Sequence, residues 1–103
     1  MIAKLTLTPA RRDQMIALLK ESAAKMPGCL SYVVSKDTAD ENILWVTEIW
    51  DRQASHDASI SLPQVKNAIP RAKAMVPNFE KVAVINPVCD LGSHPAFPAG
   101  DQT

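Results

Sequence analysis

Residues 42–61 read NILWVTEIWDRQASHDASIS. Ile43 to Trp50 is rich in strand formers and ends at the charged Asp51-Arg52, after which comes a short segment holding His56, one of two histidines. Successive strand side chains face opposite sides. Leu44, Val46, Glu48 and Trp50 therefore share one face, and Ile43, Trp45, Thr47 and Ile49 share the other. Both faces are largely apolar, whereas a strand with one wetted face alternates apolar and polar. Glu48 breaks the apolar set on its face. A buried carboxylate must be paired, hydrogen-bonded or protonated, so this position marks the candidate site.

Working outward, Cys29–Ser35 (CLSYVVS) is a second strand-forming run, and KDTADEN at 36–42 is a polar connection of hairpin length. The two runs pair as an antiparallel hairpin. Before them, Ile2–Thr8 reads as a strand. Thr8-Pro9 reads as a helix start, with threonine able to cap free amides and proline suited to the first helical position. Met15, Leu18, Leu19, Ser22, Ala23 and Met26 recur at three- and four-residue spacing, giving one helical stripe that Pro27-Gly28 ends. After the 42–61 stretch, Arg52–Ile60 reads as a short helix. A second begins near Pro63, with Val65, Ala68, Ile69, Ala72, Met75 and Val76 on one side. Pro70 lacks the amide hydrogen for the Lys66 carbonyl and predicts a kink or restart. Phe79–Asn86 (FEKVAVIN) is the fourth strand, again apolar on both parities at Val82–Ile85.

The order β-α-β-β-α-β predicts an α+β fold of the ferredoxin-like kind, a four-stranded antiparallel sheet backed by helices. It predicts one domain over 1–88 and a proline- and glycine-rich tail over 89–103. Because two strands are apolar on both faces, the sheet's free face is expected to be covered by a second copy of the chain.

Composition narrows the function. Lysine plus arginine equals aspartate plus glutamate at 11 each, without the clustered positive field that nucleic acid or an anionic membrane surface selects. The first residues lack the pattern of an export leader, and no apolar run reaches the roughly 18 residues of a membrane span. A cytoplasmic location is the expectation. Cys29 and Cys89 form no CxxC and have no neighbouring histidine, so they read as thiols rather than metal ligands. The three glycines, at 28, 92 and 100, build no phosphate loop, and there is no G-x-S-x-G elbow.

Each candidate carries a plainer alternative. Glu48 could cap a helix or pair with Arg52; its functional reading is a general base or an anchor for a substrate hydroxyl. His56 could be surface decoration, or could lie over the Glu48 face. Trp45, on the opposite face from Glu48, reads as core or interface, and Trp50 as pocket lining. Tyr32 on the paired strand could add a hydroxyl to either layer.

Three features together resemble the antibiotic biosynthesis monooxygenase family, which includes small quinol monooxygenases. They are Pro27-Gly28-Cys29-Leu30 followed by Tyr32, the E-x-W of Glu48 and Trp50, and H-D-A-S-x-S-L-P-x-V from His56 to Val65. The resemblance implies a ferredoxin-like subunit that dimerises into an α+β barrel, with a pocket between sheet and helices. It implies oxidation of a quinol or aromatic polyphenol by molecular oxygen without flavin, metal or haem. His56 and Glu48 would be catalytic, and Trp50, Tyr32 and Ser59 would line the substrate. Many relatives carry a histidine where this chain has Ser59, and His56 stands one turn earlier. That substitution also speaks against haem cleavage, whose second tryptophan would occupy the same position. An isomerase of the same fold and a non-catalytic ligand-binding dimer are the alternatives.

Overall fold

The alternation along 43–50 is realised in the computed structural model, which describes residues 1–88. Strands β1 (Ile2–Thr6), β2 (Cys29–Lys36), β3 (Ile43–Trp50) and β4 (Asn78–Ala83) form one antiparallel sheet in the order β2-β3-β1-β4. Helices α1 (Arg12–Ser22), α2 (Gln53–Ser59) and α3 (Pro63–Met75) complete the chain, and α1 packs against α3. This is the expected β-α-β-β-α-β order with α2 as a short extra helix.

Register decides which residues meet. Ala3 pairs with Val46 and Leu5 with Leu44. These four are buried together with Met15, Leu18 and Leu19 of α1 and Ala68 of α3. Leu44, 0% exposed, is at the centre. On the opposite face Lys4 pairs with Trp45, and its ammonium stands 5.8 Å from the indole centroid. There Ile43, Trp45, Thr47 and Ile49 are half-buried and Val33 is exposed.

Several boundaries differ from the sequence reading, each for a local reason. Thr8-Pro9 does not start α1. The Thr8 amide and hydroxyl both donate to the Met75 carbonyl, and Ala10 takes a left-handed φ of 67°, so the helix begins beyond them with Arg11 as its N-cap. At its other end α1 stops at Ser22, short of Pro27-Gly28, and Lys25 is left-handed at φ 54°. Pro70 causes no restart: α3 runs through it. Pro70 and Lys66 are both exposed, so the carbonyl that loses its amide partner lies where water can replace it. Strand β4 ends at Ala83 instead of Asn86, because its partner strand β1 runs out at Ile2 after a register shift between Ile2 and Ala3. Val84 to Val88 continue as exposed irregular chain. Among the described residues no helix is long and apolar enough to cross a membrane. The tail expected over 89–103, with Cys89, His94 and the proline-flanked Phe97, lies outside the described residues.

Candidate active site

The site grows from the end of β3. Glu48 is fixed by strand pairing on both sides. Its amide donates to the Met1 carbonyl at 2.8 Å, and Tyr32 of β2 stands opposite it. The residue is only 9% exposed, and its carboxylate does not take an arginine. Two positions on, on the same face, the Trp50 indole N–H donates to Glu48 Oε1 at 3.0 Å. The chain then turns through Asp51-Arg52 into α2, one turn of which brings His56 back over this pair. His56 Nε2 lies 3.9 Å from the same Glu48 Oε1, and its ring meets Trp50 edge-on at 5.3 Å between centroids and 78° between planes. A separation of 3.9 Å is an ion-pair distance and not a hydrogen bond. A shift of about 1 Å closes it, the kind of tightening that catalytic contacts undergo when substrate binds.

The far side of the imidazole is held by α2 itself. Gln53 Nε2 donates to Asp57 Oδ1 at 2.9 Å and lies 3.4 Å from His56 Nδ1, while Asp57 Oδ1 is 3.8 Å from that nitrogen. Nε2 is thereby the nitrogen presented to Glu48 and to the space above it.

The helix is seated by Gly28. This glycine has φ +82°, and its carbonyl accepts the Asp51 amide at 2.8 Å. A Cβ there would stand 2.5 Å from Ser55 Oγ and 2.6 Å from Asp51 Oδ1. Only glycine admits both the backbone angle and this approach. The Pro27-Gly28 loop thus fixes where α2 starts, and with it His56.

Glu48, Trp50 and His56 open into a cavity of about 360 Å³, within the range of small-molecule sites. Leu30, Met1, Val84 and Ile85 supply apolar wall, and Asp51, Arg52 and Lys81 supply charge.

A family model described as antibiotic biosynthesis monooxygenase matches residues 1–71. The chain belongs to this family. A solved structure of a candidate antibiotic biosynthesis monooxygenase from Chloroflexus aurantiacus shares 46% identity, covering 78% of this chain and 82% of that one at a TM-score of 0.75. A second candidate from Bacteroides thetaiotaomicron shares 21% identity over 87% and 91% of the two chains at a TM-score of 0.74. A conserved protein from Methanosarcina mazei shares 23% over 78% and 87% at 0.68. The last two show the fold alone. No curated protein matches the chain.

Of the five residues the sequence nominated in this family member, the fold brings Glu48, Trp50 and His56 into one cavity. Tyr32 and Ser59 do not line it. The Tyr32 ring packs against the core beside the cross-strand Glu48, and burial pushes its hydroxyl above the ordinary tyrosine range, with the Glu48 charge adding to the effect. Ser59 is buried, and its Oγ donates to the His56 carbonyl at 2.6 Å, the usual local bond of a helical serine. It faces a smaller hollow with Pro27 and Leu62. Burial likewise raises the Cys29 thiol, and the Glu48 charge adds to this, so the thiol stays protonated at neutral pH.

Lys81, Leu30 and Ile85 join the cavity without having been nominated as site residues from the sequence. Leu30 and Lys81 come from strands on opposite sides of β3 and β1, and no linear spacing links them. Gly28 did carry a signal, as a helix stop and as part of the family resemblance, but not as the seat of α2. Among the described residues no three His, Cys, Asp or Glu side chains converge as metal ligands.

Proposed function

We propose that this family member is a monooxygenase for quinols or related polyphenols that needs no flavin, metal or haem. In this reading one atom of molecular oxygen enters the ring and the other leaves as water. The four electrons come from the quinol, which ends as a hydroxylated quinone. The observation that carries it is one carboxylate oxygen, Glu48 Oε1, held by the Trp50 indole and faced by His56 Nε2 at the floor of a single cavity. A neutral imidazole accepts the substrate's hydroxyl proton, and the electron-rich phenolate is the species that reduces oxygen. The imidazolium formed is then stabilised by Glu48, which Trp50 keeps in place. Apolar wall at Leu30, Val84 and Ile85 lowers the water content around the anion. Tyr32 and Ser59 serve from outside the cavity, one beside Glu48 on β2 and the other within α2. A second copy of the chain covers the half-buried sheet face around Trp45, and a monomer in light scattering at micromolar concentration would exclude this.

The deciding experiment is oxygen uptake by metal-stripped protein with a panel of naphthoquinols and catechols, measured against the uncatalysed rate. The expected result is uptake above background that falls about a hundredfold in His56→Ala, in line with loss of a general base. Uptake at background across the panel, or full activity in His56→Ala, would overturn the reading.

A further inference from the structure

The proposed proton transfer uses only one end of the cavity. Its other charged lining side chains are Asp51 and Arg52 in the turn after β3 and Lys81 on β4, and the two cations have no task in it. Neither cation forms an ion pair among the described residues, where Arg12 and Arg71 do.

Their placement relative to Glu48 is set by register. Lys81 pairs with Ala3, and Ala3 pairs with Val46, two residues before Glu48 on β3. Ala3 and Val46 are core residues, so Lys81 stands on the same sheet face as Glu48, two strands away. Two strand spacings are about 10 Å and two residues along a strand about 7 Å, which separates the two backbones by roughly 12 Å. Strand side chains stand roughly perpendicular to the sheet, so both head groups rise from one face, and the interval between them has room for an aromatic ring hydrogen-bonded at each end.

The acidic groups nearby do not fill this gap. Asp51 has one oxygen against Gly28, on the α2 side. Glu80 pairs with Lys4 on the opposite face. Asp57 accepts from Gln53 on α2. The cavity therefore has the Glu48 carboxylate where the proton is taken and the Lys81 ammonium at the β4 wall, with Ile85 and Met1, whose ammonium donates to the Glu48 carbonyl at 2.7 Å, also lining it.

We propose that the substrate is an aromatic acid. Its ring lies in the cavity with a hydroxyl toward Glu48 and His56, and its carboxylate is received by the Lys81 ammonium, with Arg52 adding attraction at the mouth. This rests on the reading that the cavity binds a quinol. It goes beyond it in requiring a negative group on the ring, which a plain quinol lacks.

The test is binding without oxygen, followed by quenching of tryptophan fluorescence or by calorimetry. Three ligands share one ring: gentisate with a carboxylate, gentisamide with a neutral group of the same shape, and hydroquinone with neither. Lys81 is exposed, so the attraction is that of a partly screened ion pair. Gentisate is expected to bind about fivefold tighter than gentisamide at low salt. The preference should shrink as ionic strength rises, disappear in Lys81→Gln and persist in Lys81→Arg. Equal affinities, including no measurable binding of any of the three, overturn the proposal. So does a preference for gentisate that survives Lys81→Gln. Oxygen uptake is read separately. Tighter gentisate binding with no uptake from gentisate or from any of the naphthoquinols and catechols sinks the monooxygenase reading and leaves the carboxylate subsite standing. Uptake with equal affinities for all three does the reverse.

Discussion

Trp45 and Trp50 lie five residues apart on one strand, and each donates its indole N–H to a carboxylate, to Asp37 Oδ1 at 2.8 Å and to Glu48 Oε1 at 3.0 Å. The chemistry of the two bonds is the same, and their surroundings differ. The other Asp37 oxygen accepts the amides of Ala39 and Asp40, so this carboxylate is fully engaged in shaping the β2–β3 turn. The Glu48 carboxylate has no further hydrogen bond among the described residues and has His56 3.9 Å away in an open cavity. A carboxylate with both oxygens engaged, one by an indole and the other by two backbone amides, is a structural clip. One held at a single oxygen, beside a titratable ring and a space, retains capacity to act on a ligand.

The sharpest way to break this comparison is to neutralise each carboxylate. Glu48→Gln should lower oxygen uptake by about 10²-fold or more, while Asp37→Asn should change it less than twofold. Equal losses would mean that the two pairs do the same job. Next in size is Gly28→Ala. A left-handed alanine costs about 1 kcal/mol, and its Cβ would collide with Ser55 and Asp51. Uptake should fall through displacement of α2, whereas the Trp45–Asp37 bond, measured by indole N–H exchange, should keep its protection. Smaller again are the indole deletions. Trp45→Phe and Trp50→Phe should each lower the urea midpoint through the lost hydrogen bond, but only Trp50→Phe should also impair uptake.

The smallest expected effects are in the pH dependence of stability, and they have opposite signs. The Asp37 carboxyl is held below its usual value, first by the Trp45 bond and then by the two turn amides. A lowered carboxylate stabilises above its unfolded value of about 3.9, and that contribution is lost as pH falls through the lower folded one. Tyr32 is raised by burial and by Glu48. Its contribution is complete below the unfolded value of about 10 and is lost as pH climbs toward the raised one. Asp37→Asn should therefore flatten the acid limb of the urea midpoint against pH, and Tyr32→Phe the alkaline limb.

Reading the fold from the sequence succeeded where pattern and geometry are both local. The period of two along Ile43–Trp50 placed Glu48 with Trp50 and against Trp45, and β3 has those bounds. The 3.6 period found Met15, Leu18, Leu19 and Ser22, all buried in α1. Failures fell at ends, where a distant partner decides. Thr8 reads as a cap until the Met75 carbonyl, 67 positions away, claims its hydroxyl. Val84 and Ile85 read as strand until β1 runs out beside them.

The site divides the same way. The sequence by itself determined that Glu48 and Trp50 share a face, because strand geometry leaves no other choice two residues apart. It determined, too, that α2 follows at once and carries His56. Only the tertiary structure decided that Tyr32 goes to the core and Ser59 into its own helix, and that Lys81 and Leu30 come to the cavity. Those assignments depend on strand order β2-β3-β1-β4 and on a bulge in each outer pairing. Such features are set by how whole strands pair, and no spacing along the chain records them.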